Sequence, residues 1–463
     1  MGQPATPESP PTSSTGWRAV LTGPSGRLTI GLTLIVLTVA TESLIMTAVM
    51  PAIVRDIGGL SYYGLAFSAF FLAGLASIPT AGWAADRYGP ALPFAVLIGV
   101  FLAGSMVAAL APSMPVLVLG RVAQGYGAAA QFTLSQSAIA RAFKDTARVK
   151  VLSLMSATWT LPGLLGPPTG ALIASAFGWR WVFGVIVVPA LAACALTYPR
   201  LRELGPVGES RRSAPIRWPL QVAAGAGLVI GGLTSAAWWG VVLIAVGLPA
   251  CLVALRHTLP AGSLRARVGL PAIVAAGFVL NVAFYSASSF VPLVLTRVRG
   301  TSITAAGIAV TAATIAWSVG VWINTQLVNR YPRGRLIAAS AIVLALGIAG
   351  FGSALTGAPL AGSYVAWVLA GLGMGIAFNT LTLNTMALAA RGAEGAALAG
   401  RNLSSNLGTA VGTGVGGAAL ALSTGLSLGL RPGLTFVYTL AGASAIATAA
   451  LSGRASPPEV RAG

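Results

Sequence analysis

Residues 28–52 read LTIGLTLIVLTVATESLIMTAVMPA, an apolar run in which the only charged side chain is Glu42. A helix needs about 20 apolar residues to cross the hydrocarbon core of a bilayer, and this run exceeds that. Working outward, comparable runs follow at 62–83, 91–111, 115–139, 151–173 and 180–198. A basic, proline-containing segment then leads to two short runs, 219–235 and 238–255, with only Ala236 and Ala237 between them. Six more occupy 268–293, 303–328, 334–355, 361–388, 400–422 and 432–451. The expected architecture is therefore all-α and membrane-integral, with fourteen spans. A cytoplasmic tail over 1–26 precedes an N-terminal six-helix bundle over 27–200. A linker over 201–267 carries an inserted hairpin at 219–255, and a C-terminal six-helix bundle over 268–452 leads to a tail over 453–463. The first tail is rich in Pro, Ser, Thr and Gly and lacks an apolar signal core, so it reads as disordered.

Composition agrees with this reading. Of 463 residues, 56% are hydrophobic and 8% charged, and the mean hydropathy is +0.84, whereas soluble chains carry about a quarter charged residues. The 58 glycines suit membrane helices whose backbones approach closely. A formal charge of +19 raises nucleic acid as a partner, but the bases are scattered through short loops, which is the signature of topology instead. On the fourteen-span count, 22 of the 28 Lys and Arg residues fall on the side of the N-terminus and 5 on the other, with Arg121 left inside a span. Both termini are then cytoplasmic. The hairpin is not tested by this asymmetry, because removing two spans leaves it unchanged.

The charges within the spans narrow the chemistry. Glu42 is the only acid deep in an apolar run, about 15 Å from the end of its span near Ala52 at 1.5 Å per residue. A fixed charge there is expensive, which makes Glu42 a candidate to gain and lose a proton; the alternative is a structural hydrogen bond to a neighbouring span. Arg121 lies about 9 Å in from the same face and either pairs with Glu42 as a switch or bonds permanently to carbonyls of the first span. Cys194 and Cys251 sit in apolar runs without metal-ligand spacing, and His257 follows Arg256 in a basic loop. No metal site, catalytic cluster or ATPase loop is present in the sequence, so an enzyme is not expected and energy has to come from an ion gradient, with no cofactor. A channel is disfavoured by the two-half organisation.

Three motifs punctuate the first half. Gly82-Trp83-Ala84-Ala85-Asp86-Arg87-Tyr88-Gly89 forms a charged turn between spans 2 and 3, and Asn329 to Arg335 gives an arginine-rich turn at the equivalent place in the second half. Gly120-Arg121 to Gly127 lies in span 4, and Pro162-Gly163-Leu164-Leu165-Gly166-Pro167-Pro168-Thr169-Gly170 in span 5. Here the chain resembles the major facilitator superfamily, and within it the fourteen-span drug:proton antiporters. The resemblance covers about residues 27–452. It implies that Asp86, Arg87, Gly82 and Gly89 form a conformational latch and that Gly163, Gly166, Pro167 and Gly170 form the antiport motif. Trp179-Arg180-Trp181-Val182-Phe183 matches the family's start of span 6. The family usually places an aspartate nine residues before a proline in span 1, a spacing that Glu42 and Pro51 keep. Pro90 and Ala91 depart from it, standing where the family continues with basic residues.

The resulting expectation is a proton-coupled exporter of small amphipathic or lipophilic compounds, working as a monomer by alternating access in the cell membrane among lipids. Glu42 and Arg121 would couple protons. Met46, Gln124, Gln131, Trp159, Asn281, Tyr285, Trp317 and Asn379 are candidates to line a central cavity, with helix packing as the other role for polar residues in spans. A single membrane acid suits monovalent lipophilic cations or neutral compounds. Export of a lipid or endogenous metabolite, or a non-transport membrane protein, is the alternative.

Overall fold

The computed structural model describes residues 17–158, 160–206, 216–235, 237–390 and 394–456, and within them no strand occurs. Five helices carry the first third of the chain: α1 (Trp17–Leu21), α2 (Gly23–Ile57), α3 (Tyr63–Tyr88), α4 (Ala91–Ala109) and α5 (Met114–Ala142). Next come α6 (Asp145–Thr158), α7 (Thr160–Ala176), α8 (Trp181–Val185) and α9 (Val187–Leu204). The hairpin is α10 (Arg217–Thr234) and α11 (Trp239–Thr258). The remainder is α12 (Leu270–Ser288), α13 (Val291–Leu293), α14 (Ile303–Leu327), α15 (Arg333–Gly352), α16 (Leu360–Leu388), α17 (Glu394–Gly425) and α18 (Leu430–Leu451).

The expected apolar runs fall in helices, with 151–173 divided between α6 and α7, 180–198 between α8 and α9, and 268–293 between α12 and α13. Proline in the first turn starts α2, α5 and α12, where its missing N–H costs nothing. Gly58 and Gly89, with φ of 70° and 77°, end α2 and α3, a backbone region costly for other residues. Among the described residues, eleven helices are long and apolar enough to cross a membrane. Three expected spans fall outside that criterion for visible reasons. Helix α5 carries Arg121, Gln124 and Gln131, α7 has 17 residues, and α10 opens on Arg217.

Of the tail expected to be disordered over 1–26, residues 17–21 and 23–26 are helical. Val20 is buried in one cluster with Leu28, Leu32 and Val151, and this apolar contact holds the segment in place. At the other end Ser452–Ser456 is ordered, with Ala455 buried and the Arg454 carbonyl accepting from Gly269 N at 2.9 Å.

The same set of helix neighbours occurs twice. Helix α2 packs on α7 and α9, α3 on α5, and α4 on α5 and α9. Correspondingly α12 packs on α17 and α18, α14 on α16, and α15 on α16 and α18. Glycines set these distances: a Cβ at Gly125 would lie 2.0 Å from the Phe70 carbonyl oxygen, and one at Gly375 2.2 Å from that of Trp317. Backbones therefore touch directly at both places, as small-residue packing allows. The two halves meet through α3 with α17 and α7 with α14. Helix α10 joins the α3–α17 seam, burying Val222, Ala226 and Ile230 against Leu72, Leu75 and Leu407. Beyond it α11 leaves Trp239, Val241 and Val246 exposed, an outward apolar face that lipid can cover.

Candidate functional site

The fold brings Glu42 of α2 and Arg121 of α5 together as a buried ion pair, 3% and 2% exposed. Arg121 has further partners. Its Nε donates to the Ala66 carbonyl of α3 at 3.3 Å, and its Nη1 donates to Gln124 Oε1 at 3.0 Å as well as to Glu42. The guanidinium lies over the Phe70 ring, 4.3 Å from its centroid. Gln124 Nε2 in turn donates to Ser105 Oγ of α4 at 3.0 Å. Four helices thus hold one arginine. The carbonyl it uses belongs to the second span rather than the first. Glu42 Oε2 is buried without a hydrogen-bond partner, so the carboxylate keeps one free acceptor in a site where orphaned polar atoms are expensive.

The glycine-proline stretch of α7 lies between this carboxylate helix and the other half of the molecule. A Cβ at Gly170 would meet Ile45 Cγ2 at 2.6 Å, and one at Gly166 would lie 3.6 Å from Leu44 Cβ. On the opposite side a Cβ at Gly163 would meet Thr314 at 2.6 Å, while the Pro167 carbonyl lies 3.1 Å from where Gly307 would carry one. The bare faces of α7 therefore let it pack against residues flanking Glu42 and against α14 together. Below that crossing a cleft of about 380 Å³ opens between α7 and α14, lined by Gly163, Leu164, Thr314, Ser318, Val319 and Trp322 among others.

A second buried arginine lies in the C-terminal half. Arg401, one of the 22 bases counted with the loops on the side of the N-terminus although it stands at the edge of the run 400–422, is 1% exposed inside α17. That helix begins at Glu394 rather than near 400, which places Arg401 about 10 Å in at 1.5 Å per residue. Its Nη2 donates to the Phe378 carbonyl at 3.1 Å and its guanidinium lies 4.3 Å from the Phe378 ring centroid. No carboxylate pairs with it among the described residues, and its Nε and the Ser405 hydroxyl one turn on are buried without partners. The two arginines are joined by a row of touching rings. From Phe70 the row runs to Phe71 (5.5 Å) and across the two halves to Tyr285 (6.2 Å). It continues through Phe284 (5.4 Å) and Trp317 (5.3 Å) to Phe378 (5.5 Å).

The other expected residues are distributed unevenly. Tyr285 and Trp317 stand in the ring row, and Gln124 belongs to the arginine network. Met46 is buried in the apolar core, and Asn281 donates to the Gly277 carbonyl at 2.7 Å, a packing role. Gln131 is fully buried with both amide atoms unpartnered, while Asn379 is half-buried. Trp159 lies outside the described residues. The residues expected to form a latch make no side-chain bond to the other half among the described residues. Arg87 lies over Trp83 and Tyr88, both at 5.6 Å and both of its own helix, and Asp86 has no hydrogen bond or ion pair among the described residues. Gly82 has open space around it, and Gly89 packs toward Gly205. The two halves are instead closed at the end of the bundle opposite the chain termini. There the Tyr63 hydroxyl donates to the Ser289 carbonyl at 3.0 Å, and a Cβ at Gly64 would lie 2.4 Å from Gly417 Cα.

The Major Facilitator Superfamily profile matches residues 31–413. The chain belongs to the Major Facilitator Superfamily. This transporter of the superfamily is 29% identical over 381 residues to a probable multidrug-efflux transporter of Mycobacterium tuberculosis, spanning 78% of this chain and 80% of that one. It is 25% identical over 367 residues to a multidrug transporter protein of Bacillus subtilis, covering 74% and 66% of the two chains. Among solved structures, the xylose transporter of E. coli superposes with a TM-score of 0.63 at 15% identity, covering 94% of this chain and 97% of that one. Membership in the Major Facilitator Superfamily makes the chain a multi-pass membrane transporter rather than an enzyme. Candidate site residues absent from the sequence reading are Phe70, Phe71, Ser105, Phe284, Phe378, Arg401 and Ser405. Only Arg401 left a usable trace, since Gly400-Arg401 repeats the Gly120-Arg121 pair at an equally apolar place.

Proposed function

We propose that this is a fourteen-span, proton-coupled exporter of small amphipathic compounds, of the multidrug-efflux type, with both termini cytoplasmic and no cofactor. The observation that carries the reading is the buried Glu42–Arg121 pair with its free carboxylate oxygen. In the cytoplasm-facing state Glu42 is ionised and pairs with Arg121, and its second oxygen is open to a cationic or hydrogen-bonding group of the substrate. When the protein opens outward Glu42 takes a proton, the attraction is lost, and the substrate leaves. Arg121 keeps its carbonyl, amide and ring partners through this change, which lowers the cost of leaving the guanidinium without its counter-ion. Helix α7, touching both residues beside Glu42 and α14, is the element through which that charge event biases the relation between the halves. The relatives named as multidrug transporters support the substrate class, and closure at the end opposite the termini supports an inward-facing state.

The test is accumulation of a fluorescent lipophilic cation in inside-out vesicles under an imposed pH gradient. The wild type accumulates it, while Glu42→Gln does not but still assembles in the membrane. Accumulation by neither protein overturns the drug-pump reading and moves export of a lipid or metabolite to first place.

A further inference from the structure

Two buried charged groups carry unmet bonding capacity, one in each half, and they have opposite sign. Glu42 Oε2 is a buried acceptor without a donor. Arg401 Nε and Ser405 Oγ are buried donors without an acceptor, placed one turn apart on the same face of α17. Both look onto Gly277 of α12, where a Cβ would lie 3.5 Å from Ser405 Oγ and 3.7 Å from Arg401 Cγ. A Cβ there would make ordinary contact with both side chains, so the glycine leaves about a methyl group's room beside them. Arg121 is neutralised by Glu42, but among the described residues Arg401 has only a carbonyl and a ring. A buried guanidinium held by neutral partners is short of an anion. Between the two charges runs the ring row from Phe70 to Phe378, and aromatic faces attract flat rings and cations.

Resting on the antiport reading above, we infer that the preferred substrates are amphoteric, carrying a basic group and an acidic group on a flat aromatic body. The basic nitrogen binds Glu42 Oε2 and competes there with the proton. The carboxylate, or another anionic oxygen, accepts from Arg401 Nε and Ser405 Oγ. The ring lies along the aromatic row. Arg401 is thereby a specificity residue for the charge of the compound, separate from the proton site, and a simple lipophilic cation uses half of the available recognition.

Rhodamine B and its ethyl ester test this, since they share one xanthene cation and differ in a free carboxylate. Binding to the purified full-length protein in lipid nanodiscs is followed by fluorescence anisotropy. The wild type binds the free acid about tenfold more tightly than the ester, the worth of one charge-assisted hydrogen bond. Arg401→Gln removes the preference by weakening the acid and leaving the ester unchanged; Arg401→Lys retains part of it, and Ser405→Ala reduces it. Equal affinity of the wild type for both dyes, or equal weakening of both by Arg401→Gln, overturns the inference. If Arg401→Gln does not assemble, the Lys and Ser405→Ala variants decide the matter, with ester binding as proof of folding. A charge preference that depends on Arg401 without pH-driven transport leaves this inference standing and removes the antiport reading. Transport without the preference does the reverse.

Discussion

The hydroxyl of Tyr63, at the start of α3, donates to the backbone carbonyl of Ser289 at the break between α12 and α13, 3.0 Å away and 226 positions along the chain. Tyr63 is wholly buried and its ring also packs on Phe290 at 5.2 Å, so one side chain ties the first half to the second by both a hydrogen bond and an apolar contact. Tyr63→Phe keeps the ring and removes the bond, a loss of about 1 kcal/mol. The population open at this end rises about fivefold in consequence. Spin labels at Leu110 and Leu428, exposed positions of the two halves, read it in a background lacking Cys194 and Cys251. The fraction at long separation grows; an unchanged distance distribution means this bond does not hold the gate.

Breaking a buried ion pair from one side leaves a stranded charge, at a cost of about 3–5 kcal/mol. Arg121→Gln alone and Glu42→Gln alone both destabilise the protein. The double variant, which buries no charge at all, recovers a substantial part of the loss. Denaturant unfolding of the four proteins in detergent measures the coupling, and strictly additive losses argue that the pair is not mutually dependent.

Glycine acts differently at two sites in the first half. At Gly125 a Cβ would stand 2.0 Å from the Phe70 carbonyl, so Gly125→Ala pushes α3 and α5 apart, costing about 1–3 kcal/mol, and shifts the ring that Arg121 rests on. At Gly82 nothing lies within 4 Å, and Gly82→Ala gains up to about 1 kcal/mol of helix propensity. Thermal unfolding midpoints should move in opposite directions. If Gly82→Ala is stable yet loses transport, the open space at Gly82 is occupied in the other state of the cycle, as a latch requires.

The fourteen-span count has its own test at the hairpin. Trp238, 80% exposed in the turn between α10 and α11, faces the exterior if both helices cross. Trp238→Cys, in the same cysteine-free background, is then labelled by a membrane-impermeant maleimide in intact cells. Labelling only after lysis means that α10 and α11 do not span, and the count falls to twelve.

Sequence reading reached the helices because a span has to be apolar over its whole length, and that is a local property. It reached Glu42 and Arg121 because a charge in such a run is conspicuous wherever it points. It misplaced Arg401 because a charge near the edge of an apolar run is indistinguishable from a loop charge until the helix start is known, and α17 starts six residues earlier than the run. It left Gln131 and Asn281 equivalent, since an amide bonding its own helix and an amide with no partner have the same letter pattern.

What the sequence by itself determined was the class of molecule: composition and spacing demand a bundle of membrane helices, and the scarcity of acids singles out Glu42 as the acid deep within an apolar run. Which groups meet was decided only by the tertiary structure. The free oxygen of Glu42, the hold on Arg121 by four helices, the ring row across the halves and the lone guanidinium of Arg401 all depend on how helices far apart in the chain rotate against one another. That rotation is set by close backbone contacts such as Gly125 on Phe70 and Gly64 on Gly417, which involve pairs of positions and leave no mark on either one alone.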